Sequence, residues 1–309
     1  MNNDLQKNEV KVSYRNDVCF KYALSGEDEI SRNIRDTVIK DITGIEPVES
    51  YVEKTEYLPI SFDGKKIVMD VHVKDKEGRE YNIEMQSYGA VATEKKRFFM
   101  YLMRMMLDQL NRGNDYTTFH PTYLIIFVDF EMDEDHELIN RYEMMKKTGR
   151  PLLENDMAVI YFVSLPSLKY LNKKVKDMTD VEKLCYLFKN EADNAILEAK
   201  EGVVDQYMKK YDDLQNDKDL WSYAVQSEIA EIRDRAIQQE MYDSGKADGK
   251  NEGKITTLQA TLQTLIQAKY HEDAREWLLT LTPEQLEEAT IHILSCDSLK
   301  ILKTRLSEK

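Results

Sequence analysis

Asp70, Glu84 and Gln86 are the side chains of this 309-residue sequence whose types and spacing suggest chemistry. They lie in two alternating runs. In the first, Ile67, Met69, Val71 and Val73 share one face, and Val68, Asp70 and His72 share the other. In the second, Tyr81, Ile83 and Met85 share one face, and Asn82, Glu84 and Gln86 the other. The link between them, Lys76-Glu77-Gly78, reads as a three-residue hairpin loop whose last position suits a left-handed glycine. That loop pairs Asp75 with Arg79, sets His72 against Asn82 and places Asp70 opposite Glu84, with Cβ atoms ~5 Å apart. Gln86 then sits one step beyond Glu84 on the same face. A two-residue loop at Glu77-Gly78 would put Asp70 against Met85 and mix the faces.

Two carboxylates that close repel each other unless a cation or a proton lies between them. Mg2+ takes one or two carboxylates, keeps several waters and bridges to phosphate. It can polarise a phosphoryl oxygen and supply a hydroxide-like nucleophile near neutral pH, which is the chemistry of phosphodiester hydrolysis. The same three residues could also form the wet face of an ordinary hairpin. Spacing alone leaves both readings open.

The flanking elements must position this hairpin. A helix is expected over 26–43, opened by a Ser25…Asp28 capping box, carried by Ile30, Ile34, Val38 and Ile42, and ended by Gly44. Residues 49–62 read as strand, with Pro59 pushing part of it to an edge. A helix over 94–112, apolar on more than one side and stopped by Gly113, follows the hairpin. Thr122–Phe130 and Met157–Leu165 are continuous apolar runs, the mark of strands covered on both faces. From about Asp180 onward only helical periodicity is present. The tract GKADGKNEGK, with Gly245, Gly249 and Gly253 four apart, reads as a flexible linker or as a helix with a glycine stripe. Thr282-Pro283-Glu284-Gln285 reads as a helix start in a small C-terminal unit.

Acidic residues outnumber basic ones 57 to 43, for a net charge of −14, so the chain is no polybasic nucleic-acid binder. Cys19, Cys185 and Cys296 are far apart and lack a CxxC pair, which argues against a disulfide framework and a thiolate zinc site and fits a reducing compartment. No apolar run approaches the ~20 residues of a membrane span, and the N-terminus lacks the apolar core of a leader. A cytoplasmic protein without a membrane partner is expected.

The string IVMDVHVKDKEGREYNIEMQ resembles the central motif of the PD-(D/E)XK nuclease family transposases, the recombination-promoting nuclease group. NDVCFKYALSG resembles that family's N-terminal segment, with Asp17, Phe20 and Lys21 in place. KRFFMYLMRMMLDQLNRGNDY resembles its next helix, with Arg97, Tyr101, Gln109, Gly113 and Tyr116 matching, and PTYLIIFVDF resembles the strand after it. The resemblance covers about residues 14–170, and the glycine tract and helical tail are also typical of the group.

It implies an α/β, restriction-endonuclease-like core, a central mixed β-sheet flanked by helices, followed by an all-α C-terminal region. Expected boundaries are 1–172 for the nuclease-like domain, 173–244 for a helical extension, 245–254 for the linker and 255–309 for the helical C-terminal domain. It implies Mg2+-dependent DNA cleavage, with Mn2+ as an alternative metal, tied to recombination or mobile elements. By carry-over Asp70 and Glu84 are metal ligands, and Gln86 takes the place of the superfamily's lysine. A glutamine can hydrogen-bond and orient a water but supplies no charge. Lys21 could supply that charge, or be a solvated lysine. Asp17 could assist at the metal or cap a helix.

Lys95, Lys96 and Arg97 form a basic cluster at a helix start, suited to phosphate or simply charged. His72 shares the carboxylate face, as a phosphate or metal contact or in a structural role. Gln109 is either near the site or a satisfied buried amide. DNA is the expected partner, and the helical C-terminal region leaves room for a homo-oligomer. The competing expectation is a nuclease fold with weak or no catalysis that binds DNA or protein.

Overall fold

Asn16 and Asp28 each open a helix with a side-chain cap in the computed structural model, which describes residues 10–53, 56–57, 67–89, 91–110, 115–153 and 156–307. The Asn16 carboxamide oxygen accepts the Val18 N–H, and α1 runs Asp17–Ser25. Asp28 accepts the Ser31 N–H, and α2 runs Glu29–Thr43 and stops at Gly44. The capping box expected at Ser25 is therefore corrected. Ser25 is the last residue of α1, a helix the hydrophobic pattern did not reveal, and Asp28 is the cap.

Strands β1 (Tyr51–Val52), β2 (Glu56–Tyr57), β3 (Ile67–Val68), β4 (Val71–Lys74) and β5 (Glu80–Gln86) follow. Residues 54–55 and 58–66, with Pro59, lie outside the described residues. The β4–β5 register is the expected one, with Val71 opposite Ile83, His72 opposite Asn82 and Val73 opposite Tyr81. Gly78 has φ +82°, and a Cβ there would lie 2.6 Å from the His120 ring, so the turn requires glycine twice over. The expected continuous strand over 67–73 is broken. β3 pairs with β2 in a separate two-stranded sheet, and Asp70 forms a bend before β4. Met69 thereby leaves the face of Val71 and Val73 and is buried with Phe98 and Leu102.

The crossover helix α3 (Val91–Asp108) leads to β6 (Thr122–Val128), β7 (Ile139–Glu143) and β8 (Ala158–Ser164). The main sheet has six strands in the order β1-β4-β5-β6-β8-β7. β5, β6 and β8 are parallel, and β1, β4 and β7 run antiparallel to their neighbours. β7 was not expected from sequence. It is a short edge strand whose Asn140, Arg141 and Glu143 hide its pairing. Every residue of β6 and β8 is buried, as both faces of the sheet are covered. On one face Tyr123, Ile125, Phe127, Val159 and Val163 pack with Phe20, Ile34, Leu184 and Tyr207. On the other, Leu124, Ile126 and Phe162 pack with Phe98, Leu102 and Met105 of α3. The expectation that α3 is buried on more than one side is corrected, since Phe99, Met100 and Leu107 are exposed.

The chain divides into two compact units, Met1–Ile232 and Arg233–Lys309. Helices α4 (Asp180–Asn190), α5 (Asn194–Glu198), α6 (Gly202–Asn216) and the first turns of α7 (Lys218–Tyr270) belong to the first. Val181, Leu184, Phe188, Val204, Tyr207, Leu214 and Ala224 join the sheet's core, so this part is integral to the domain rather than an extension of it. Residues 245–254 are helical within α7, the alternative to a linker. A Cβ on Gly245, Gly249 or Gly253 would meet nothing within 4 Å among the described residues. The second unit buries Leu262 and Ile266 against residues of α8 (Arg275–Leu278), α9 (Pro283–His292) and α10 (Leu299–Ser307). Thr282 and Gln285 form the expected capping box of α9. The three cysteines are buried, with free thiols. No helix among the described residues is long and apolar enough to cross a membrane.

Candidate active site

The bend at Asp70 ends the β4–β5 ladder one residue short, and side chains complete it. The Asp70 N–H donates to Glu84 Oε1 at 3.1 Å, and the Met85 N–H donates to Asp70 Oδ2 at 3.1 Å. Backbone donors that would otherwise be orphaned thus lock both carboxylates in place. Asn82, two residues before Glu84 on the same face, is fully buried and donates to Glu84 Oε1 at 2.7 Å. Among the described residues no donor reaches Glu84 Oε2.

From α1, Lys21 Nζ lies 3.0 Å from Asp70 Oδ1 and 2.8 Å from Asp17 Oδ1, a residue one helical turn earlier. Burial opposes the Lys21 ammonium, but Asp70 and Asp17 outweigh it and its pKa is raised. Burial raises the Asp70 carboxyl, with Lys21 pulling the other way. Burial, and then the charge of Asp70, hold the Glu84 carboxyl well above the ordinary carboxylate range, against the pull of Asn82, the Asp70 N–H and Arg97.

The arrangement fits an open divalent site. A buried Glu84 and a half-buried Asp70 lie side by side, and one oxygen of Glu84 has no donor among the described residues. No group of three or more His, Cys, Asp or Glu residues suited to a metal occurs among the described residues. A closed zinc cage is therefore not what this donor set offers. Two carboxylates leave the remaining positions to water and phosphate, as Mg2+ requires.

Gln86 has its amide engaged. Its Oε1 accepts from Arg97 Nη2 at 2.6 Å, and its Nε2 donates to the Tyr88 carbonyl. Arg97 Nη2 also lies 2.9 Å from Glu94 Oε2, and the guanidinium sits 4.4 Å from the Phe98 ring centroid and 5.8 Å from that of Tyr101. The structure thus brings Asp17, Lys21, Asp70, Glu84, Gln86 and Arg97 together.

Four other expected residues sit apart. The His72 ring contacts Glu80 Oε2 at 3.2 Å. Lys95 binds Asp133 at 2.9 Å and the Tyr142 hydroxyl at 3.3 Å. Lys96 is exposed on α3. Gln109 donates to Thr122 Oγ1 and accepts the His120 N–H, each at 2.9 Å. Thr122 pairs with Glu80, while Ile126 pairs with Glu84, so Gln109 serves the far end of the strands. Sequence reasoning left Asn82 and Glu94 unassigned. Alternation places Asn82 on the carboxylate face, and the i, i+3 spacing of Glu94 and Arg97 could have paired those two.

An antiparallel hairpin with an acidic pair, joined through a helix to parallel strands in a mixed sheet flanked by helices, defines a PD-(D/E)XK nuclease-like fold. The family model of the PD-(D/E)XK nuclease family transposases matches residues 14–239, well over half of the sequence, and the chain belongs to that family. The match takes in α4 to α6 and ends within α7. Searches of curated proteins and of solved structures give no match.

Proposed function

We propose that this protein is a DNA endonuclease, dependent on Mg2+ or Mn2+, that serves recombination or the movement of DNA elements. The observation that carries the reading is the pairing of a half-buried Asp70 with a buried Glu84, whose like charges call for a cation. Asp70 and Glu84 are the metal ligands. Bound there, the cation would polarise a phosphoryl oxygen and supply a hydroxide-like nucleophile near neutral pH. Glu84 offers Oε2, because its Oε1 already accepts two N–H groups. Asp70 offers Oδ1, which it would share with Lys21 Nζ at 3.0 Å, because Oδ2 holds the Met85 N–H. Lys21 is the charged group at the site, kept beside Asp70 by Asp17, and can donate a hydrogen bond to an attacking water.

Arg97 and the exposed Lys96 are the phosphate contacts on α3. His72, Lys95 and Gln109 act as structural supports. Action on DNA in the cytoplasm agrees with three free, buried thiols. A homo-oligomer through the C-terminal helices is carried forward with this proposal, and the mass in solution tests it.

The test is nicking of supercoiled plasmid with Mg2+, with EDTA and with E84A. Metal-dependent nicking that E84A loses supports the reading. Nicking that persists in E84A overturns the site assignment. A second reading, a nuclease fold that binds DNA or protein with little catalysis, is favoured by the uncharged Gln86 with its engaged amide. Absence of both nicking and Mg2+ binding would select it.

A further inference from the structure

We infer that Gln86 acts through Arg97: its amide is a bracket that holds the Arg97 guanidinium at the acidic pair, where it receives the scissile phosphate. The inference rests on the endonuclease reading and changes the part Gln86 plays in it.

A glutamine that oriented the attacking water would need a free oxygen or N–H directed at that water. Here the oxygen takes the Arg97 Nη2 proton at 2.6 Å, a short charge-assisted bond, and the nitrogen is turned to the Tyr88 carbonyl. Both ends of the amide thus fix one orientation, and that orientation faces Arg97.

Arg97 is held from three directions. Gln86 and Glu94 both bind Nη2, and the guanidinium stands over the Phe98 and Tyr101 rings. Gly89 makes room for this, since a Cβ there would lie 2.7 Å from Glu94 Cγ and its φ is +150°. Such immobilisation removes the freedom a surface arginine would have.

Nε and Nη1 of this guanidinium are unspent among the described residues. Arg97 Nε is buried and has no hydrogen-bond partner among the described residues. A buried N–H without an acceptor is a cost to the fold. A guanidinium presents five N–H donors in a plane that matches phosphate oxygens two at a time. Gln86 and Glu94 have already taken Nη2, and the donors left on Nε and Nη1 suit an anionic, oxygen-rich ligand. Gln86, which holds Arg97, lies two residues after Glu84 on the same face of β5. A phosphate received by Arg97 therefore lies within the electrostatic reach of the acidic pair. In this chain the position of the superfamily's lysine delivers its positive charge indirectly, through a neighbour on α3.

A double-mutant cycle tests this, with single-turnover cleavage of a duplex oligonucleotide in Mg2+ and binding of the same duplex in Ca2+ at several salt concentrations. R97A should slow cleavage about 100-fold, and Q86A about 10-fold. The double variant should match R97A, because Gln86 has nothing to hold once Arg97 is gone. R97A should lower the slope of log affinity against log salt by about 1, the loss of one phosphate contact. Calorimetric Mg2+ affinity should change less than about threefold in both single variants, since neither residue is a ligand. Should R97A fail to fold, R97Q keeps a hydrogen-bonding side chain without the charge.

If Q86A costs the same factor with and without Arg97, Gln86 acts on its own and the inference falls. An unchanged salt slope in R97A also overturns it. A wild type that neither binds Mg2+ nor cleaves would instead sink the endonuclease reading, and the salt slope would still decide whether Arg97 meets phosphate.

Discussion

The two ends of one hairpin bury carboxylates in opposite ways. At the turn, Asp75 accepts the N–H groups of Glu77 and Arg79 on Oδ1, each at 3.0 Å, and the Arg79 Nε at 2.7 Å on Oδ2. The Tyr81 hydroxyl adds a longer contact at 3.4 Å. Every lone pair has a donor and the charge has a cation. At the open end, Glu84 has two amide-type donors on one oxygen, none on the other among the described residues, and a like charge beside it. The first carboxylate closes a loop. The second is left wanting a cation. Burial by itself is therefore a poor guide to function. The informative quantity is how far each buried charge is satisfied.

The comparison breaks most visibly in activity. E84Q should reduce metal-dependent cleavage by roughly a thousandfold or more, because an amide replaces the carboxylate proposed to hold the metal. D75N should cleave at the wild-type rate per folded molecule, measured in the same plasmid assay. In stability the ranking reverses. D75A leaves Arg79 and three further donors without their acceptor, and urea denaturation should show a loss of about 3 kcal/mol. E84Q should match or exceed the wild type in the absence of metal, since it removes one of two repelling charges. Added Mg2+ should then separate the two ends again. At about 100 times its Kd it should stabilise the wild type by about 2.7 kcal/mol and leave E84Q unmoved, a shift that thermal unfolding reads.

Smaller effects sharpen the same contrast. G78A at the turn should cost about 1–2 kcal/mol in urea denaturation, from the left-handed backbone and the His120 ring. The gentlest test is pH. Glu84 and Asp70 bind protons more tightly folded than unfolded, so their burial carries no penalty below the ordinary carboxylate pKa. The penalty enters as pH rises through that value toward the folded pKa. Metal-free wild type should lose stability over that window, and E84Q should lose less. A steeper decline in E84Q than in wild type would contradict the assignment.

Much of this site was legible in the chain because its causes are local. A three-residue turn ending in glycine and strict alternation set the register of Asp70 and Glu84, and a one-residue slip would have scrambled both faces. The Asp17–Lys21 pair is one helical turn apart. The break before β4 was not legible, since it depends on the pairing of Ile67–Val68 with Glu56–Tyr57 and on Met69 entering the α3 side of the core. The α1 helix and the edge strand β7 were missed for the same kind of reason. Their amphipathic signals are weak, and tertiary partners complete them.

The hairpin register, its turn, the cap of α9 and the acidic pair could be read from residues a few positions apart. The donors to those carboxylates, and the charged side chains gathered around them, come from elements far apart in the chain. Lys21 arrives from α1, Arg97 reaches back from α3, and Asn82 turns inward because the sheet is covered on that side. A side chain's chemistry is written in its identity, but its charge state and its reach depend on burial and on groups distant in the chain, and those exist only once the core has closed.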